Sequence, residues 1–202
     1  EIYTLSLHDA LPIFGLPLGV LLVMCASDGI RPHPVLYKIL DVVVNLTRSF
    51  PFIILLIAVL PFTRWLLGTT LGPTAVIVPL TISAAPFVAR LVEGSLKEVD
   101  VGVIEASQSM GASAFQIIWK VLLPEARPSL IVNCAIAITT ILGYTAMAGF
   151  VGGGGLGDIA IRFGYYRREE DIMLITVVLL IVVVQVFQGL GLWVARRLDR
   201  RK

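Results

Sequence analysis

The run Val151-Gly-Gly-Gly-Gly-Leu156-Gly157-Asp158 is the stretch of this 202-residue chain that most invites a chemical reading. Glycine-rich loops can cradle phosphates with their N–H groups, but a Walker-type loop closes on Gly-Lys followed by Ser or Thr. Here the closing residue is Asp158, which would repel an anion, so the run reads as close packing or a flexible exit from a helix. Cys25 and Cys134 have no neighbour at metal-ligand spacing and read as small buried hydrophobes. His8 and His33 stand alone. No Gly-x-Ser-x-Gly or His-Glu-x-x-His pattern occurs, so the sequence supplies no catalytic residue, metal set or cofactor motif. Its most structured polar pattern is EASQSMGASAFQIIWKVLLPEA, residues 105–126, whose chemistry is that of a docking surface rather than of bond-making.

The elements that hold this stretch are apolar. The chain is 57% hydrophobic and 15% charged, well below the roughly 25% charged residues of soluble domains. Residues 10–27, 49–63, 65–89, 128–157 and 172–195 contain no Asp, Glu, Lys or Arg. A helix needs about 20 apolar residues to cross a bilayer, and one buried core helix cannot explain five such windows. The fold class is therefore all-α, a polytopic membrane protein. A first helix, read as truncated, precedes spans expected near 40–62, 72–92, 128–150 and 172–195. Residues 1–13, EIYTLSLHDALPI, resemble translated sequencing-adapter read-through and no signal peptide, so the transmembrane domain is expected to occupy 14–202. The side holding the 28–48 loop, the 90–127 loop and the tail carries twelve Lys and Arg residues, against four on the other side. The positive-inside rule makes that side cytoplasmic. Mid-span ionisable groups are almost absent, which argues against a proton-coupled carrier and for a path lined by neutral residues.

Within the cytoplasmic loop the spacing predicts a helical hairpin over about 100–124. Asp100 can cap a first helix, Val101–Met110, which Gly111 ends because glycine tolerates the left-handed geometry that follows a helix. Ser113 and Gln116 fit a capping box for a second helix with Ile118, Val121 and Leu122 on one stripe. That helix is expected to stop before Pro124. A lipid-facing hairpin would carry flanking basic residues, yet Lys120 is the sole one between Val99 and Arg127, which favours a protein partner.

Glu105-Ala106-Ser107, Gly111 and Val121-x-Leu123-Pro124 resemble the "EAA" motif of ABC importer permeases, with Ser107 in place of Ala and Val121 in place of Ile. Arg48-Ser-Phe-Pro-Phe-Ile-Ile-Leu-Leu56, Ile77-Val-Pro-Leu-Thr81, Ala84-Ala-Pro-Phe87 and Gly143-Tyr-Thr-Ala-Met147 are similar to the permeases of methionine ABC importers. The resemblance implies a type I importer transmembrane fold with five helices in a bacterial inner membrane, the C-terminus cytoplasmic. It implies that the hairpin is a coupling helix and that the chain is no enzyme, since ATP is hydrolysed by a separate subunit. Implied partners are a second copy, two cytoplasmic ABC ATPases, an extracytoplasmic methionine-binding lipoprotein and the lipid bilayer, with no nucleic acid. Tyr144 and Met147 are expected to line the translocation path. Open alternatives are a permease for another amino acid or small metabolite, and an ATP-independent channel or secondary carrier.

Overall fold

The computed structural model describes residues 2–198, with side chains described over 14–197. The chain is helical, and no strand occurs among the described residues. α1 (Ile2–Cys25) bears the apolar stretch Phe14–Cys25, and the side chains of the adapter-like stretch 1–13 lie outside the described residues. α2 (Pro34–Ser49), α3 (Phe52–Leu67) and α4 (Pro73–Lys97) follow. The hairpin comprises α5 (Val101–Ser109), α6 (Ala114–Ile117) and α7 (Leu123–Glu125). The chain returns through α8 (Arg127–Met147), turns at the short α9 (Gly155–Ile159) and finishes in α10 (Glu170–Leu198).

α4 is the axis of the fold. Val76, Leu80, Ala84, Ala89, Val92 and Leu96 are all buried along it. α1 lies against it through Gly15 and Gly19, a Gly-x-x-x-Gly pair that lets two helices approach closely. A Cβ on Gly19 would stand 2.7 Å from the Ala89 carbonyl oxygen. α8 covers another face with Ala137 and Ile141 against Ala84. The glycine run serves two ends: a Cβ on Gly157 would meet the Ala146 backbone at 2.4 Å, whereas Gly152, Gly154 and Gly155 have positive φ and make the turn after α8.

Three sequence expectations need correction here. Of the two cysteines read as buried, Cys25 is buried and Cys134 is exposed on α8. The span expected at 40–62 is not one helix, because α2 and α3 meet at 109°. Pro51 has no N–H to donate, and its ring keeps Phe50 out of helical geometry, at φ −77° and ψ 130°. α2 nevertheless packs on the Lys97 end of α4, through Val44 on Ala89, while Phe52 and Leu56 of α3 pack near Val76 and Leu80. The broken pair thus follows α4 from one end to the other. The polar loop expected to start at Arg90 starts instead after Lys97. Glu93 stands at helical spacing from both Arg90 and Lys97 and pairs with each, so the helix continues through them.

Candidate functional site

The hairpin between α4 and α8 is shaped by local chemistry. Asp100 accepts the Gly102 N–H at 2.7 Å and starts α5. Gly111, at φ +80°, makes the turn, with its N–H donating to the Gln108 carbonyl at 2.9 Å. The capping box is complete: Ser113 N–H donates to Gln116 Oε1 at 2.8 Å, and Gln116 N–H to Ser113 Oγ at 3.4 Å. The second helix does not stop before Pro124. It widens into a π turn at Ile118–Leu122 and passes through the proline in α7. In a tight α turn the Pro124 ring would meet the carbonyl four residues back, and the wider turn relieves that contact.

This geometry divides the motif residues in two. Glu105, Ala106 and Gly111 are exposed at the free end. Ser107 is buried, its hydroxyl donating to the Val103 carbonyl at 2.8 Å. Val121, Leu123 and Pro124 are half-buried at the base. Ile117, Ile118 and Leu122 join Val92, Leu96 and Val99 of the α4 end and Val23 of α1 in one apolar cluster, with Val121 and Leu123 packed against it. The hairpin is therefore welded to the helix bundle rather than tethered to it. Both its stems are also linked, since Asn133 of α8 donates to Ser95 Oγ of α4 at 2.7 Å.

Two features escaped the sequence reading. Outside the buried stripe, Phe115 and Trp119 stack with centroids 6.2 Å apart, 72% and 62% exposed. At α-helical spacing Phe115, Ile118, Trp119 and Leu122 fall on one face, at i, i+3, i+4 and i+7, so the sequence carried no signal for them; the π turn at Ile118–Leu122 shifts that phase. The second feature is ionic. Glu93, buried in α4, accepts from Arg90 at 2.6 Å, Lys97 at 2.8 Å and the Tyr37 hydroxyl at 3.2 Å. Arg90 reaches across to Asp41 and Asn45 of α2. The Arg-x-x-Glu-x-x-x-Lys spacing would have indicated one charged face running on from the apolar span.

Tyr144 and Met147 are not brought into one arrangement. The Tyr144 ring is half-buried and stacks on Phe52 at 4.7 Å and 10°, whereas Met147 is largely exposed. Tyr144 also touches the clusters around Leu80 and around Ala84, so it joins α3, α4 and α8. Among the described residues no group of three His, Cys, Asp or Glu side chains could hold a metal ion.

Comparison with known proteins gives a consistent result. A family model described as "Binding-protein-dependent transport system inner membrane component" matches residues 15–202. A probable D-methionine transport system permease protein MetI of Vibrio cholerae is 52% identical over 187 residues, covering 93% of this chain and 83% of that protein. The corresponding protein of Pasteurella multocida is 45% identical over 189 residues, 94% of this chain and 87% of the relative. An inward-facing structure of the MetNI methionine ABC transporter matches with a TM-score of 0.95 and 44% identity, covering 98% of this chain and 92% of that one. An amino acid ABC transporter crystallised with histidines shares the fold at a TM-score of 0.72 and 18% identity.

Proposed function

Because this chain belongs to the binding-protein-dependent transport system inner membrane component family, we propose that it is the membrane-spanning subunit of an ATP-driven methionine importer. The transport unit is residues 14–202, paired with a second copy. Each copy presents its hairpin, about residues 100–124, to one cytoplasmic ABC ATPase. A methionine-binding lipoprotein delivers substrate at the opposite face, and the C-terminus lies in the cytoplasm with the basic loops.

The observation that supports this reading best is the hairpin itself: exposed at its tip, capped at each turn and continuous in packing with α4 and α8. Two stacked aromatic rings on its outer face are the residue type that anchors protein interfaces. A groove on the ATPase that takes Phe115 and Trp119 would read Glu105, Ala106 and Gly111 beside them. Ser107, Val121, Leu123 and Pro124 hold the base and pass displacement to the bundle. Closing two ATPases then moves two hairpins, and with them the ends of α4 and α8, so that the path alternates between outward and inward access. Tyr144 and Met147 line that path. The substrate assignment rests on the naming of the relatives.

Uptake of labelled methionine into proteoliposomes holding the permease, its ATPase and the binding protein is the test. Uptake should require ATP. Gly111→Pro cannot adopt the positive φ of the turn, and Ala106→Glu sets a charge on the exposed face. Each should insert normally and lower ATP-driven uptake by about tenfold or more. Uptake without ATP would point to a channel or secondary carrier, and normal uptake by both variants would refute the coupling role.

A further inference from the structure

We propose that the ionic network of Asp41, Arg90, Glu93 and Lys97, closed by Tyr37 and Asn45, is the strut by which the hairpin carries α2 with it. This rests on the coupling role given above. The two Glu93 carboxylate oxygens are both engaged: Oε1 accepts from Lys97 at 2.8 Å and from the Tyr37 hydroxyl at 3.2 Å, and Oε2 accepts from Arg90 Nη1 at 2.6 Å. The other end of the guanidinium, Nη2, crosses to α2, donating to Asp41 Oδ1 at 2.5 Å and Asn45 Oδ1 at 2.8 Å. The Glu93 side chain is 3% exposed. Two acids and two bases leave no net charge in the cluster.

Such a cluster is weak evidence for stability, because apolar residues of similar volume usually serve as well. What a planar guanidinium fork does supply is direction, and so one register between two helices. That register has little else to fix it. The apolar contact of α2 with its neighbours centres on Val44 against Leu22 and Ala89, with Tyr37 and Leu40 at its margin. Its opposite face, Val35, Ile39, Val42, Val43 and Leu46, is exposed. One turn further along α4, Val92 and Leu96 belong to the hairpin cluster. A displaced hairpin therefore moves the α4 end, and the network moves α2. The Pro51 break then turns α3, whose Phe52 is stacked on Tyr144. Arg90 and Asp41 are positioning residues in this chain of contacts.

The test uses the complete transporter, permease with ATPase and binding protein, in proteoliposomes. Arg90→Gln and Asp41→Asn should assemble and hydrolyse ATP within about twofold of the parent while methionine uptake per ATP falls about tenfold. The double variant should be no worse than Arg90→Gln alone, because both remove one link. Arg90→Lys should restore only part of the ratio, since an ammonium is a point donor. Uptake and hydrolysis falling in parallel would mark a structural role and overturn the strut, as would an unchanged ratio. If Arg90→Gln fails to assemble, Tyr37→Phe and Asp41→Asn give the same readout from the edge of the network. A second measurement does not depend on substrate: spin labels at Val43→Cys and Gln108→Cys, in a Cys25→Ser, Cys134→Ser background. With one doubly labelled copy paired with an unlabelled one, the strut requires one narrow distance in every nucleotide state, broadened by Arg90→Gln, and a distance that stays narrow in that variant overturns it. Absence of ATP-driven methionine uptake by the parent, with the distance still broadened by Arg90→Gln, would sink the importer reading and leave the strut standing.

Discussion

α4 and α10 are both long enough and apolar enough to cross a bilayer, yet they use their apolar surface in opposite ways. Half of the most apolar window of α4 is buried inside the chain, against 6% for α10. α4 is the more polar of the two, with Glu93, Ser95 and Arg90 in its last turns, and it meets its neighbours through small residues such as Ala84 and Ala89. α10 is a run of Leu, Ile and Val with exposed side chains from Leu174 to Leu190. In lipid, hydrophobicity does not drive helices together, and close packing and polar contacts do. The helix that looks more like a core in composition is therefore the one that faces outward, and the mixed one is the core.

The largest effect expected from this contrast is at Leu80, fully buried on α4 among Phe52, Leu56, Val76 and Ala148. Leu80→Ala opens a cavity there and should destabilise the purified permease by about 2–5 kcal/mol. Thermal unfolding in detergent measures it, and an unchanged midpoint would remove α4 from the centre of the fold. A smaller effect is expected at the hairpin, whose exposed apolar side chains form the docking face proposed above. Trp119→Ala should leave the melting midpoint alone, because the ring touches Phe115 outside the buried cluster. It should weaken binding of the ATPase subunit by roughly 30-fold, the loss of one aromatic anchor of about 2 kcal/mol. Titration of labelled permease with the ATPase would check it, and unaltered affinity would place the docking face elsewhere.

The same contrast separates what was legible in the sequence from what was not. Charge-free windows announce membrane helices because the bilayer penalises charge residue by residue, and the hairpin caps were legible because each is local. Asp100, Gly111, Ser113 and Gln116 act within three residues of themselves. Contacts between distant segments were not legible. A window that ends at the first charge cuts α4 at Ala89, whereas the helix continues for two more turns because Glu93 sits between two cations. The partner that completes the cluster, Asp41, lies 49 residues away along the chain. Pro51 was visible, but proline is tolerated in membrane helices, so composition alone could not tell a kink from the 109° break. The π turn before Pro124 depends on how the base of the hairpin packs, and no local pattern encodes it.

The smallest effect should come from α10, and it decides what the exposed face meets. Leu179 is 44% exposed, on a helix whose buried residues are few, among them Thr176 and Ala195. Leu179→Ala removes the same atoms as Leu80→Ala but opens no cavity in this chain, so it should change stability by no more than about 0.5 kcal/mol. The comparison is made twice, with the permease dispersed as single chains and with it paired in a milder detergent. A change that stays near zero in both states assigns the Leu179 face to lipid. A loss that appears only in the paired state assigns it to the second copy, where α10 would then be packed as closely as α4 is in the single chain. A loss in both states would mean that α10 is held within its own chain after all. The distinction between an inner and an outer apolar helix would then fail at the residue where it is easiest to measure.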